Sequence, residues 1–276
     1  MADHRGPTTV TGSERPGPFS VDHLVGDLGA LGLENGETVL VHSSLSALGY
    51  VIGGAHAVVL ALLETLGQGA LVVPTHSSDL TDPGGWTHPA VPEAWWPTIR
   101  ATMPAFDARL TPTRHMGAIP DVVRHAPAAL RSDHPTFSFC AVGPRALAIT
   151  ANHALADGLG EHSPLARLYD LDGRVLLLGV GHDRNTTLHL AEGRSGRARR
   201  VSEGAPVTLD GQRTWVTFET LDYDPSDFVE VGRAAGERGL ETVGPVGAAS
   251  ARLMSVRALV DFATTWMQAH RPPRGS

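Results

Sequence analysis

The residues best suited to chemistry lie in one stretch, Arg174 to Glu192, RVLLLGVGHDRNTTLHLAE. It holds two histidines, two carboxylates and a pair of threonine hydroxyls. His189 and Glu192 are three apart, which puts them on one face if the segment is helical. A histidine there can take or give a proton near neutral pH. Two other apolar runs end the same way. VLVHSS ends at His42-Ser43-Ser44, and LVVPTHSS ends at Thr75-His76-Ser77. Three buried strands that each end in a polar group containing histidine predict a sheet edge lined with proton carriers and hydroxyls. Ligands of open α/β sheets lie outside the carboxyl ends of the strands.

The elements that must position these groups can be read from apolar patterning. Val175–Val180 is a short continuous apolar run, the pattern of a strand buried on both faces. The chain restarts at Asn185, read as the N-cap of a helix carrying His189. Thr38–Val41 and Leu71–Pro74 are strands, and Ala55–Leu66 between them is an apolar helix. Val21–Leu31 is a helix closed by Gly32. Pro92–Met103, Met116–His125, Pro144–His153, Ser226–Gly236 and Arg257–His270 are further helices. Ser163-Pro164 starts another. Phe137–Val142 and Leu253–Val256 are strands. Val207–Leu209 and Trp215–Glu219 flank Asp210-Gly211 as a hairpin. The alternation predicts an α/β sandwich with a mainly parallel central sheet, helices on both faces and an added antiparallel hairpin. Residues 1–19, polar and proline-rich, read as a mobile tail. Residues 20–276 read as a single domain.

Composition removes several classes of function. Among 276 residues there is no lysine, so Schiff-base chemistry and a Walker lysine are absent. A net charge of −7 disfavours nucleic acid and suits a cationic ligand. The single cysteine, Cys140, lies in an apolar strand and reads as packing. No apolar run reaches membrane length, which predicts a cytoplasmic protein.

Two anion sites are suggested. Gly53-Gly54 opens an apolar helix, where free backbone N–H groups suit a phosphate. Arg114 stands before Met116-Gly117 at another helix start and can pair with a phosphate. Asp79, Asp82, Glu219, Asp222 and Asp224 form two acidic groups near predicted loops and strand ends. With Trp86 beside the first group, these suit a polycation.

Taken together, VHSSLSALGYVIGGAHAVVLAL, VVPTHSS, RHMGAIPDVVR, RSDHPTFSFCAVGPRA, the 163–192 segment and VGPVGAASARL resemble the aminoglycoside 3-N-acetyltransferases of the antibiotic acetyltransferase family. The resemblance runs in order from Leu24 to Phe262. It implies acetyl-CoA as cofactor and acetylation of the 3-amine of a deoxystreptamine ring, which confers antibiotic resistance. The family's N-T-x-x-H-x-A-E segment falls on Asn185–Glu192, so the resemblance assigns His189 as catalytic base, with His42 also facing the site. Glu219 and Asp222 compete for the acidic residue that serves the base or the amine. The coenzyme side falls on Ser43, Ser44, Leu45, Gly49, Val51, Gly53 and Gly54, with Arg114, Met116 and Gly117. Asp79, Asp82, Trp86, Glu192 and Asp222 are expected on the drug side, and a monomer or homodimer is expected. Three alternatives stand beside this: an acetyltransferase for another amine-bearing antibiotic or metabolite, a metal-dependent hydrolase, and a non-catalytic binder.

Overall fold

The computed structural model describes residues 17–273. The expected tail over residues 1–16 lies outside them. Phe19, at the end of that expected tail, belongs instead to the core: it is 5% exposed and bridges Val51.

The first helix, α1 (Val21–Leu31), starts at Ser20, whose hydroxyl accepts from the His23 amide, and stops at Gly32 with φ 98°. A left-handed residue is where a side chain is disfavoured and glycine is used. Then come β1 (Thr38–Ser43), α2 (Gly54–Leu66), β2 (Ala70–Pro74), α3 (Trp96–Thr102), α4 (Ala118–Arg124), β3 (Leu130–Arg131) and β4 (Phe139–Val142). The chain continues through α5 (Ala146–Thr150), α6 (Pro164–Asp170), β5 (Arg174–Leu178), α7 (Leu188–Ser195), β6 (Arg200–Leu209) and β7 (Gln212–Leu221). It closes with α8 (Phe228–Glu237), β8 (Glu241–Val246), β9 (Ala249–Ser255) and α9 (Val256–His270).

Seven strands form one sheet in the order β3-β4-β2-β1-β5-β9-β8. The central three, β2-β1-β5, run parallel. Antiparallel pairs flank them on both sides. Each central strand alternates between two cores. Val39 and Val41 of β1 face the core with α1 and α2, as do Leu176 and Leu178 of β5. Leu40, Val175 and Leu177 face the opposite core with α6, α7, α8 and α9. A strand buried on both faces has no polar side, so the runs read as uninterrupted apolar sequence. Each such side chain contributes roughly 1.5–3 kcal/mol by leaving water.

One local expectation needs correction, and two features add detail to the fold. Asn185 does not cap the His189 helix. It closes a short 3₁₀ turn, His182–Arg184, and α7 begins at Leu188 after Thr187. Its side chain instead accepts from the Thr187 amide at 3.2 Å, so it shapes the turn rather than the helix end. The hairpin does not extend the central sheet. β6 and β7 pair over ten residues as a separate two-stranded sheet, turning at Asp210 (φ 49°) and Gly211 (φ 76°). Two positive φ values in succession match the right-handed twist of a hairpin. Finally, β8 was not anticipated; Glu241 to Val246 alternates weakly and contains Pro245, which an edge strand tolerates. Among the described residues no helix is long and apolar enough to cross a membrane.

Candidate active site

Parallel pairing aligns the carboxyl ends of β1, β2 and β5 on one edge, with Ser43 opposite Leu178 and Leu40 opposite Val72. His42 and Ser43 therefore end β1, Thr75-His76 follows β2, and Gly179 follows β5. Gly179 has φ 71°, and a Cβ there would meet the Ala47 Cβ at 2.6 Å, so only glycine lets β5 turn under the loop after β1. The turn beyond it is tied together by side chains. His182 Nε2 meets Glu241 Oε2 at 3.3 Å, and its Nδ1 lies 3.4 Å from the Asn185 amide nitrogen.

This turn delivers His189 in the first turn of α7. Its Nδ1 lies 2.8 Å from Glu192 Oε2, the helical i,i+3 partner. The carboxylate accepts, so Nδ1 carries a hydrogen. The ring is wedged between Tyr223, with centroids 5.0 Å apart, and Phe228, at 4.7 Å. Glu192 is 0% exposed. Its other oxygen accepts from Arg271 Nη1 at 2.6 Å and from the Asp224 amide at 3.0 Å.

Beside this edge lies a cavity of about 590 Å³, walled by His42, Ser43, Ser44, His76, Met116 and Thr186 among others. His42 Nε2, Ser43 Oγ and His76 Nε2 are buried there without a hydrogen-bond partner. Burial pushes His42 and His76 down to about 3, with neighbouring His189 adding to both. Both rings are therefore neutral at physiological pH. A second cavity of about 450 Å³, lined by Asp79, Trp86 and Arg114, shares His115 with the first. A third, about 200 Å³, is walled by Asp222, Tyr223, Glu203 and His134.

The structure brings together His42, Ser43, Ser44 and Met116 around the 590 Å³ cavity, and Asp79, Trp86 and Arg114 around the second. It separates others. Glu219 is exposed on β7 and has no contact with His189; Asp222 pairs with Arg199 at 3.0 Å. The carboxylate on the His189 ring is Glu192, which was expected to meet the drug and is too buried to do so. Asp82 is not a free anion. Arg100 binds both its oxygens at 2.8 Å and holds its carboxyl below the usual range. Val51 is buried in the core, and a Cβ at Gly49 would meet the Ala248 Cβ at 3.0 Å. Leu45 begins a 3₁₀ turn. Gly53 (φ 88°) and Gly54 (φ 60°) open α2, and Gly117 (φ 86°) precedes α4. Arg114 pairs with Asp79 at 3.3 Å while its amide donates to the His76 carbonyl.

Sequence reasoning missed Arg271, Asp227 and Tyr223. Arg271 stands 79 residues from Glu192, and an arginine before Pro272-Pro273 reads as a solvated helix end. It also missed Arg131, whose guanidinium donates to the Thr75 carbonyl at 2.6 Å and fixes the loop bearing His76. Cys140 is buried and its thiol pushed up to about 12, so it stays protonated. Among the described residues no group of three or more His, Cys, Asp or Glu is arranged to hold a metal ion.

Comparison with known proteins gives a consistent result. Residues 40–268 match the family model for aminoglycoside 3-N-acetyltransferase. Aminoglycoside N(3)-acetyltransferase VII of Streptomyces paromomycinus is 38% identical, over 91% of this chain and 92% of that protein. The crystal structure of YokD from Bacillus subtilis superposes with a TM-score of 0.91 at 43% identity, over 93% and 96% of the two chains. AAC-IIIb, solved as a binary complex with CoASH, superposes at 0.80 with 29% identity, over 93% and 99%. A histidine held by a buried glutamate at the edge of this sheet thus sits within a fold and sequence shared over nine-tenths of the chain, and the protein belongs to the aminoglycoside 3-N-acetyltransferase family.

Proposed function

We propose that this protein acetylates the 3-amine of the 2-deoxystreptamine ring of aminoglycosides, using acetyl-CoA and His189 as general base. The observation that carries the reading is the His189–Glu192 contact of 2.8 Å beside the cavity, with Glu192 fully buried. Family membership and the CoASH complex of a related enzyme support the choice of acyl donor.

The residues present fit such a donor. The 590 Å³ cavity has orphaned polar atoms at His42, Ser43 and His76, which an incoming polar group can satisfy. The amino end of α2, a helix of 13 residues opening on Gly53-Gly54, lies at the same sheet edge and suits phosphates. Arg114, Met116 and the Ser43-Ser44 segment complete that side. Acetyl-CoA supplies a thioester-activated acetyl group.

The chain's own part is proton handling and orientation. An amine attacks only after it has lost its extra proton. His189 Nε2 is the available lone pair, because Nδ1 is engaged by Glu192. Glu192 holds the ring in that tautomer and stabilises the imidazolium that forms. His42 is the weaker candidate for base, since a ring pushed down to about 3 hardly takes up a proton. Its place is on the cavity wall as a neutral polar group. The carboxylates Asp79, Glu203 and Asp222 around the two smaller cavities offer the drug's other amines opposite charge. Acetylation removes one positive charge from the drug, which is the basis of the resistance proposed.

The test is thiol release from acetyl-CoA with a panel of aminoglycosides. His189→Ala is expected to fold, to keep its coenzyme KM, and to lose roughly 10²–10⁴ in kcat, the usual share of general acid–base catalysis. Near-normal turnover in His189→Ala, with loss in His42→Ala, would reverse the two roles.

A further inference from the structure

The carboxylate behind His189 is itself held, and by a residue from the far end of the chain. Arg271 directly follows α9. Its amide still donates to the Met267 carbonyl, and its backbone is already extended (φ −85°, ψ 133°), as suits a residue before Pro272. Its side chain is 8% exposed. The guanidinium binds four acceptors: Glu192 Oε1 at 2.6 Å, Asp227 Oδ2 at 2.7 Å, Asp227 Oδ1, and the Asp224 carbonyl at 2.9 Å. Glu192 in turn spends one oxygen on His189 and the other on Arg271. The result is a buried row, His189–Glu192–Arg271–Asp227, drawn from α7, the residue after α9, and the N-cap of α8.

We infer that Arg271 is a positioning residue for catalysis: it fixes Glu192 beneath His189 and supplies the standing positive charge that lets Glu192 remain ionised while His189 is unprotonated. This rests on the reading of His189 as the base. A buried carboxylate needs a counter-charge. Without Arg271 the nearest available one is a proton on His189, and a base that already holds its proton is idle. With Arg271 present, the carboxylate is balanced before the reaction begins. When His189 takes the amine's proton, the row reads plus, minus, plus, minus, and no like charges adjoin.

The other groups facing His189 do not substitute for Arg271. Tyr223, on the segment after β7, is raised by burial and stays a neutral phenol; it donates nothing positive, and its hydroxyl accepts from the Leu159 amide at 3.0 Å. Phe228 of α8 is uncharged. His42 of β1 and His76 after β2 are neutral. Asp227 is the only other charged group in the row, and it touches Arg271 rather than Glu192.

The measurement is the pH dependence of kcat at saturating acetyl-CoA and drug, for wild type, Arg271→Gln, Arg271→Lys and Asp227→Asn, with His189→Ala beside them. In Arg271→Gln, kcat at its optimum should fall roughly 10- to 100-fold, as expected when a reacting group loses its registration. The acid limb should also move up by about one pH unit, because the His189–Glu192 pair then keeps its proton more firmly. The coenzyme KM should not change. Arg271→Lys retains the charge and should return the limb toward wild type even if kcat recovers only partly. Asp227→Asn removes a competing anion and should leave the limb in place or lower it. A folded Arg271→Gln enzyme with an unmoved acid limb overturns the inference, since a purely structural arginine changes the amount of active enzyme and not its titration. If Arg271→Gln does not fold, Arg271→Lys and Asp227→Asn decide: a limb raised in Asp227→Asn overturns it equally. An active His189→Ala enzyme would bring down the underlying assignment; an inactive one with an unmoved Arg271→Gln limb brings down this inference alone.

Discussion

Two arginine–carboxylate pairs in this protein have the same chemistry and different weight. Arg100 grips both oxygens of Asp82 at 2.8 Å in the loop region after β2, with side chains 37% and 29% exposed. Arg271 grips Glu192 at 2.6 Å beneath α7, with side chains 8% and 0% exposed. Water screens the first pair and gives either partner an alternative when the other is lost. The second pair has no such alternative. Geometry alone would rank them equal, and burial separates them. The first organises a surface loop, while the second holds the carboxylate that meets His189.

The largest break in this comparison comes from deleting one buried partner. Glu192→Ala should remove the support of His189 and leave Arg271 with Asp227 as its one carboxylate partner. Urea unfolding should show a loss of about 3–5 kcal/mol, the usual cost of stranding one member of a buried pair. Turnover should fall with it. A stability change under about 1 kcal/mol would mean that water reaches Glu192 and that the pair resembles the surface one.

A second test compares the buried interior with the surface by pH. His42 and His76 are lowered to about 3, His134 to about 4 and His153 to about 2, each chiefly by burial. In His153 burial and the neighbouring His134 outweigh the Gly158 carbonyl, 2.7 Å from Nε2, which works in the opposite direction. These rings are neutral in the fold and titrate near 6.5 when unfolded. Below that value the unfolded chain binds more protons, so stability is fully present above about pH 6.5 and declines as pH falls toward 3–4. Each ring contributes at most about 1.4 kcal/mol per pH unit. The urea midpoint should be clearly lower at pH 5 than at pH 7.5. Equal midpoints would show that the rings are hydrated.

The smallest effect belongs to the surface pair. Asp82→Asn retains one acceptor oxygen for the Gly84 amide and Arg100 Nη2, and loses its charge and the acceptor for Arg100 Nε. Its stability should change by no more than about 1 kcal/mol, and less in high salt. A larger, salt-insensitive loss would make the loop pair behave like the buried one.

Much of the scaffold was readable because its signals are local. The parallel strands are continuous apolar runs, and the histidines follow them directly in the chain. The His189–Glu192 pair is a helical spacing, visible in four letters, although its burial is not. Glu192 looked like a residue for the drug because sequence gives spacing without depth. Glu219 and Asp222 looked like partners of the base because a hairpin's position over the sheet cannot be read from its turn.

The sequence by itself determined the central strands, most helices, the hairpin turn and the histidines at the sheet edge, because each depends on period, capping or turn chemistry within a few residues. Tertiary structure alone decided which carboxylate serves His189 and which charge serves that carboxylate. Glu192 and Arg271 meet across 79 residues only because α7 and α9 pack together in one core. The strength of their contact depends on the exclusion of water, which no single segment can achieve.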